Sequence, residues 1–165
     1  MDQRATGEWV LLSYRLPREP STPRIGIWRK LKRLGVAQLG DGLIALPSDA
    51  RTREHLDWIA EEVVEAGGSA SLWVAHPASL SQERDVAQDM AAARAAEYRR
   101  LSDDAEAQAR EHPPGSPGRI RALRRLRNEL RRIQRRDYFP PAERDAAQAA
   151  VEALQPSETE TEETA

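Results

Sequence analysis

Glu8-Trp9-Val10-Leu11-Leu12-Ser13-Tyr14-Arg15-Leu16-Pro17 opens the part of the chain that decides the fold. The run is almost continuously apolar and β-forming, which suits a central strand covered on at least one face. Pro17 has no N–H for a ladder and ends it. After it, Ser21 or Thr22 offers an N-cap and Pro23 a tolerated first-turn residue. Ile25, Trp28, Leu31 and Leu34 then recur at three-residue steps, with Ile27 widening the stripe. Arg24, Arg29, Lys30, Lys32 and Arg33 fill the other side, and Gly35 is a natural C′ residue. A helix over Pro23–Leu34 follows. Val36–Leu39 and Leu43–Leu46 flank Gly40-Asp41-Gly42, a hairpin signal because these residues accept positive φ. Beyond Pro47, Ser48 or Asp49 caps a second helix with Leu56, Ile59, Ala60, Val63 and Val64 as its inner face. Gly67-Gly68 stops it, and Ser71–Val74 is a last strand closed by Pro77. The order β-α-β-β-α-β predicts an α+β chain with a ferredoxin-like unit over 8–77. Trp9, Trp28, Trp58 and Trp73 each fall on a predicted inner face, so they read as core.

The second half differs in kind. It predicts a helical extension over 78–154: a hairpin of two long helices, 79–111 and 119–136, and a short helix over 142–154. Ser79 or Ser81 caps the first, whose thin stripe is Val86, Met90, Ala93 or Arg94, Glu97 or Tyr98, Leu101 and Ala105. Pro113-Pro114-Gly115 breaks the chain. Ile120, Leu123, Leu126 or Arg127, Leu130 and Ile133 line the second long helix, and Val151 and Leu154 the short one. Residues 155–165 are acidic and lack apolar anchors, so a disordered tail is expected there.

The bulk numbers bound the rest. The 165 residues suit one compact unit with appendages, and a 39% hydrophobic content is lean for a uniform globule. A mean hydropathy of -0.71 agrees. Cysteine is absent, which excludes disulfides and thiolate metal sites. No apolar run approaches the ~20 residues of a membrane span, and no leader pattern opens the chain, so a soluble, cytoplasmic protein is expected with no membrane partner. The net charge of -2 hides an asymmetry: arginine dominates 118–136.

That asymmetry supplies the candidate site. Arg119, Arg121, Arg124, Arg125, Arg127, Arg131, Arg132, Arg135 and Arg136 stand against one acid, Glu129. Guanidinium is a planar fork suited to phosphate or carboxylate. Such a cluster calls for an anion, and DNA is one candidate. The competing reading is internal: Glu97, Asp103, Asp104, Glu106 and Glu111 on the preceding helix, or the acidic tail, neutralise the arginines. Arg29, Lys32 and Arg33 on the first helix form a smaller basic face, either solvated or a further phosphate contact. His55, His76 and His112 are scattered without metal-ligand spacing, and no phosphate loop, nucleophile elbow or Cys/His pair is present. A non-enzyme without metal or cofactor is therefore expected.

Trp9 to Pro17, Arg24-Ile-Gly-Ile-Trp-Arg-Lys-Leu-Lys-Arg-Leu-Gly35 and Gly42-Leu-Ile-Ala-Leu-Pro47 together resemble the N-terminal domain of the ChrB chromate-resistance proteins. Trp58, Glu61, Gly67-Gly68, Ala96–Tyr98, Ile133, Asp137 and Tyr138-Phe139-Pro140 extend the likeness. The same strand-helix-hairpin stretch is similar to the middle domain of PaaX-type repressors and, more distantly, to small ferredoxin-like CRISPR nucleases. The resemblance implies a chromate-responsive, DNA-binding transcription regulator acting as a homodimer. The nuclease relatives carry a metal-binding aspartate at the end of the first strand. Tyr14-Arg15 stands there in this chain and removes the carboxylate, which argues against nuclease chemistry. Two alternatives stay open beside the regulator. One is a protein-interaction or oligomerisation module in which the arginines pair with protein. The other is an oxyanion (chromate) sensor.

Overall fold

The computed structural model describes residues 6–156; from residue 157 the expected acidic tail lies outside the described residues. The element order is β1 (Trp9–Arg15), α1 (Thr22–Leu34), β2 (Ala37–Gly40), β3 (Leu43–Pro47), α2 (Ala50–Glu65), β4 (Ser69–Ala75), α3 (Leu80–Glu111), α4 (Pro117–Arg135) and α5 (Glu143–Glu152). The chain is α+β: a ferredoxin-like unit followed by long helices and a short C-terminal helix. It divides into two compact units between Met90 and Ala91, inside α3.

In the first unit the sheet is antiparallel with strand order β2-β3-β1-β4. The apolar β1 is thus an inner strand, paired on both edges, as its composition requires. Val10 and Leu12 of β1 stand beside Leu46 and Ile44 of β3, and all four are buried. Ile27 and Leu31 of α1 and Leu56, Ile59 and Val63 of α2 are the helical residues that seal this core. On the opposite face of the sheet, Leu11 lies across from Trp73 in register. A smaller apolar cleft on that face is lined by Trp9, Leu11, Pro77 and Val86.

Local chemistry explains the boundaries. Asp49 caps α2 with a reciprocal box: its carboxylate accepts from the Thr52 N–H at 2.7 Å, and the Asp49 N–H donates to the Thr52 hydroxyl at 2.9 Å. Thr52 is fully buried, and its hydroxyl also donates to the Pro47 carbonyl at 2.7 Å. Gly35 closes α1 in the left-handed region at φ 74°. Ser79 accepts from the Gln82 N–H at 3.1 Å and starts α3.

Several expected inward positions point outward. Trp58 is 58% exposed, Val64 57% and Trp73 60%, so two of the four tryptophans are not core. The buried stripe of α2 is Thr52, Leu56, Ile59 and Val63, and Trp58 and Val64 lie off it. On α1 the buried pair is Ile27 and Leu31, four apart, and Ile25 is exposed. Three-residue steps drift around a 3.6-residue helix, so only part of that stripe can face in. Ile120 is exposed at the start of α4 for the same reason.

Two outcomes test this packing. Leu46→Ala should lower stability by about 2–5 kcal/mol, whereas Trp58→Ala should cost at most about 0.5 kcal/mol, both read from urea melts. Asp49 responds to pH with a definite sign. The Thr52 N–H holds its carboxyl below the usual range. The cap therefore stabilises above the ordinary aspartate pKa and is lost as pH falls through the lowered one. Asp49→Asn, which caps about as well, should match the parent at neutral pH. It should melt higher than the parent below about pH 4.

Candidate nucleic-acid interface

The second unit is built to hold α4. Gly115, at φ 73°, ends the Pro113-Pro114 break. Ser116 then caps α4, its hydroxyl accepting from the Arg119 N–H at 3.3 Å, with Pro117 in the first turn. Ala122, Leu123, Leu126, Leu130 and Ile133 are buried along one stripe. Leu123, Leu126, Leu130 and Ile133 of this stripe meet Tyr98, Leu101 and Ala105 of α3 and Ala147 and Val151 of α5, with Leu154 just beyond. Arg132 and Arg135 in the last turn suit the negative end of the helix dipole.

The arginines sort into two groups. Arg119 is turned inward: its guanidinium donates to the carbonyls of Ala109, His112, Ala153 and Leu154 at 3.1–3.2 Å. It thereby caps the last carbonyls of α3 and α5 with one side chain. Arg125 pairs with Asp104 at 2.8 Å. Arg127 pairs with Glu152 at 2.7 Å and also donates to the Gln155 side chain at 2.9 Å. Arg136 pairs with Glu97 at 2.7 Å and is only 20% exposed. The Arg127 hydrogen bonds hold the Glu152 carboxyl below its usual range, and the hydrogen bonds that Arg125 donates to Asp104 raise the Arg125 guanidinium above its own.

Arg121, Arg124, Arg131, Arg132 and Arg135 are exposed and have no carboxylate partner among the described residues. At roughly 100° per residue these five fall within an arc of about 100°, directly opposite the buried stripe. They extend over about 21 Å of helix axis. Asn128 lies within the arc and accepts from Arg131 at 2.6 Å. Helical spacing to Arg124 and Arg131 is the signal that places it there. Asp103 and Glu106, expected as counter-charges, make no ion pair among the described residues; Asp104, between them in sequence, does.

The smaller basic face belongs to the first unit. Arg29 and Arg33 are exposed without ion pairs among the described residues, and the Lys32 ammonium lies 5.5 Å from the Trp28 ring centroid. The histidines stay apart: His76 Nδ1 is 3.1 Å from the Gly7 carbonyl, and the His112 ring lies against Gly118. Among the described residues no group of three or more His, Cys, Asp or Glu could hold a metal ion, and no helix is long and apolar enough to cross a membrane.

The model of the family described as Protein ChrB, N-terminal, matches residues 24–111, from α1 through α3. Protein ChrB of Cupriavidus metallidurans is 33% identical over 95 residues, 58% of this chain and 26% of that protein. The chain thus spans about a quarter of the length of the curated relative it matches. No solved structure matches the chain. The family match ends before α4, so the reading of the arginine arc stands on geometry.

The two groups of arginines should behave differently when removed. Arg119→Ala leaves four carbonyls to find new donors and should cost about 1–3 kcal/mol. Arg125 is 52% exposed, and Arg125→Ala should cost about 0.2–1 kcal/mol. Urea melts of the two variants give the comparison.

Proposed function

This chain belongs to the ChrB N-terminal family, and from that premise we propose that it is a non-catalytic, DNA-binding regulator of chromate resistance that grips phosphates with α4. The observation that carries the reading is the arc of five exposed arginines without carboxylate partners among the described residues. Uncompensated guanidinium forks at this density favour a polyanion, because each phosphate they neutralise releases condensed counterions. A helix with one anchored apolar stripe and one basic arc can lie along a duplex and position the protein by backbone contacts. Arg119, Arg125, Arg127 and Arg136 serve the fold of the second unit. The pairing reading therefore accounts for four arginines and leaves five for DNA. Control of chromate resistance and action as a homodimer rest on the family likeness.

Fluorescence anisotropy with promoter and random duplexes across a salt series tests the proposal. Five contacts should give a slope near -4.5 in log K against log salt, at about -0.9 per phosphate. Arg124→Ala/Arg132→Ala should bring the slope about 2 units closer to zero on both duplexes. Arg125→Ala should leave it unchanged. Absence of binding at low salt, or a change in slope for Arg125→Ala as large as that for the double variant, overturns the assignment.

A further inference from the structure

A cleft of ≈ 720 Å³ opens in the unit that ends at Met90. That volume lies within the range of small-molecule sites. Segments far apart in sequence form it: Tyr14 and Arg15 at the end of β1, Arg24, Ile25 and Trp28 on α1, and Asp41 in the β2–β3 turn. The turn is pinned to the strand. The Tyr14 N–H donates to the Gly42 carbonyl at 2.8 Å, and a Cβ on Gly42 would come 2.3 Å from the Tyr14 carbonyl oxygen. Gly42 also sits at φ +70°, so both the space and the backbone demand glycine. The cleft is thus preformed by backbone contacts.

Its charges are not used internally. Neither Arg15 nor Arg24 makes an ion pair or a hydrogen bond among the described residues, and both are exposed. The first turn of α1 contains no acid. Burial pushes the Tyr14 hydroxyl up, with the charge of Arg24 acting against it. Asp41 likewise has no ion pair among the described residues, so its carboxylate is available to a ligand. The remaining wall is apolar: Ile25 is 48% exposed, and Trp28 is half-buried with Lys32 over its ring.

Each element selects part of a ligand. Two guanidinium forks lining one cleft suit a phosphate. The exposed side of Ile25 and the Trp28 indole take a flat ring. A free carboxylate takes an N–H donor. We propose that this cleft binds a nucleoside monophosphate whose base carries an exocyclic amine, with the phosphate at Arg15 and Arg24, the base against Ile25 and Trp28, and the amine at Asp41. A free nucleotide and the 5′-phosphorylated end of a strand share this chemistry. The inference does not rest on the reading of α4.

The test titrates the full chain with AMP, CMP, UMP, inorganic phosphate and the dinucleotide pApA, followed by tryptophan fluorescence and calorimetry. AMP or CMP should bind at least about tenfold more tightly than inorganic phosphate. Arg15→Ala/Arg24→Ala should weaken AMP at least about tenfold, while Arg124→Ala/Arg132→Ala leaves it unchanged. Asp41→Asn should erase the preference for AMP and CMP over UMP. Tighter binding of AMP than of pApA identifies a free nucleotide, and the reverse a strand end. Arg24→Gln alone serves where the double variant fails to fold. Equal affinity for phosphate and AMP, AMP binding indifferent to the arginines, or no binding at about 5 mM overturns the proposal.

Discussion

Like charges on one helix repel, and α4 carries eight arginines against the single acid Glu129. Each like-charge pair at three or four residues costs a few tenths of a kcal/mol. Pairs such as Arg121 with Arg125 and Arg131 with Arg135 recur along the helix. The opposing term is its apolar stripe, where Leu126 is fully buried and Leu123, Leu130 and Ile133 nearly so. Burial of one such side chain contributes about 1.5–3 kcal/mol, so four outweigh the repulsion of the whole charged face. The helix therefore holds its shape only while that stripe stays covered by α5 and by the α3 residues beyond Ala91. Everything the arginines do depends on this anchoring.

The far end of α4 is fixed by a different means. The Tyr98 hydroxyl donates to Asp137 at 2.7 Å, and the Asp137 side chain is wholly buried. Burial first, then the bond to Asp137, drives the Tyr98 hydroxyl strongly upward, so it stays a neutral donor. Glu97 accepts from Arg136 and lies 3.0 Å from Arg94, a separation close enough for an ion pair but without hydrogen-bond alignment. Burial lowers Arg94, and its Nε and Nη1, with Oδ1 of Asp137, lack hydrogen-bond partners among the described residues. Buried pairs of this kind are weak evidence for net stability, because desolvation offsets the attraction. Their effect here is on register. Glu97 takes Arg136 and Tyr98 takes the next residue, so the end of α4 meets one turn of α3 and no other. A slip by one residue would leave buried charge unpaired and would rotate the basic arc by about 100°.

The order of elements was legible because punctuation in this chain is strong. Pro17, Gly35, Asp41-Gly42, Pro47 and Gly67-Gly68 each sit where a strand or helix ends. Side-chain orientation was less legible where size stood in for periodicity. Trp58 and Val64 look like core by type, yet the stripe at Thr52, Leu56, Ile59 and Val63 places them outside it. Trp73 shows the matching limit for strands: alternation gives two faces without telling which one is covered. On α4 the arginine cluster is plain in sequence, but its partition is not. Asp104 reaches Arg125 while Asp103 reaches no arginine among the described residues, and only the rotation of α3 decides between neighbours. The cleft beside Tyr14 left no local signal at all, since its residues are drawn from β1, α1 and the β2–β3 turn.

The internal pairs also shape the charge they leave behind. By helical rotation Arg125 flanks the arc on one side and Arg127 on the other, and each is tied to an acid of a neighbouring helix. Neutralised flanks confine the uncompensated charge to the outermost strip of α4. Exposed pairs contribute little to stability by themselves, so their main effect is to give the field of this unit a direction. The same strip is where self-repulsion is strongest. Any polyanion that lies along it relieves that repulsion and also gains its own contacts, so occupancy and stability of the helical unit are linked with the same sign. The arrangement that makes α4 costly to hold when bare is what makes a phosphate-bearing surface favourable to it.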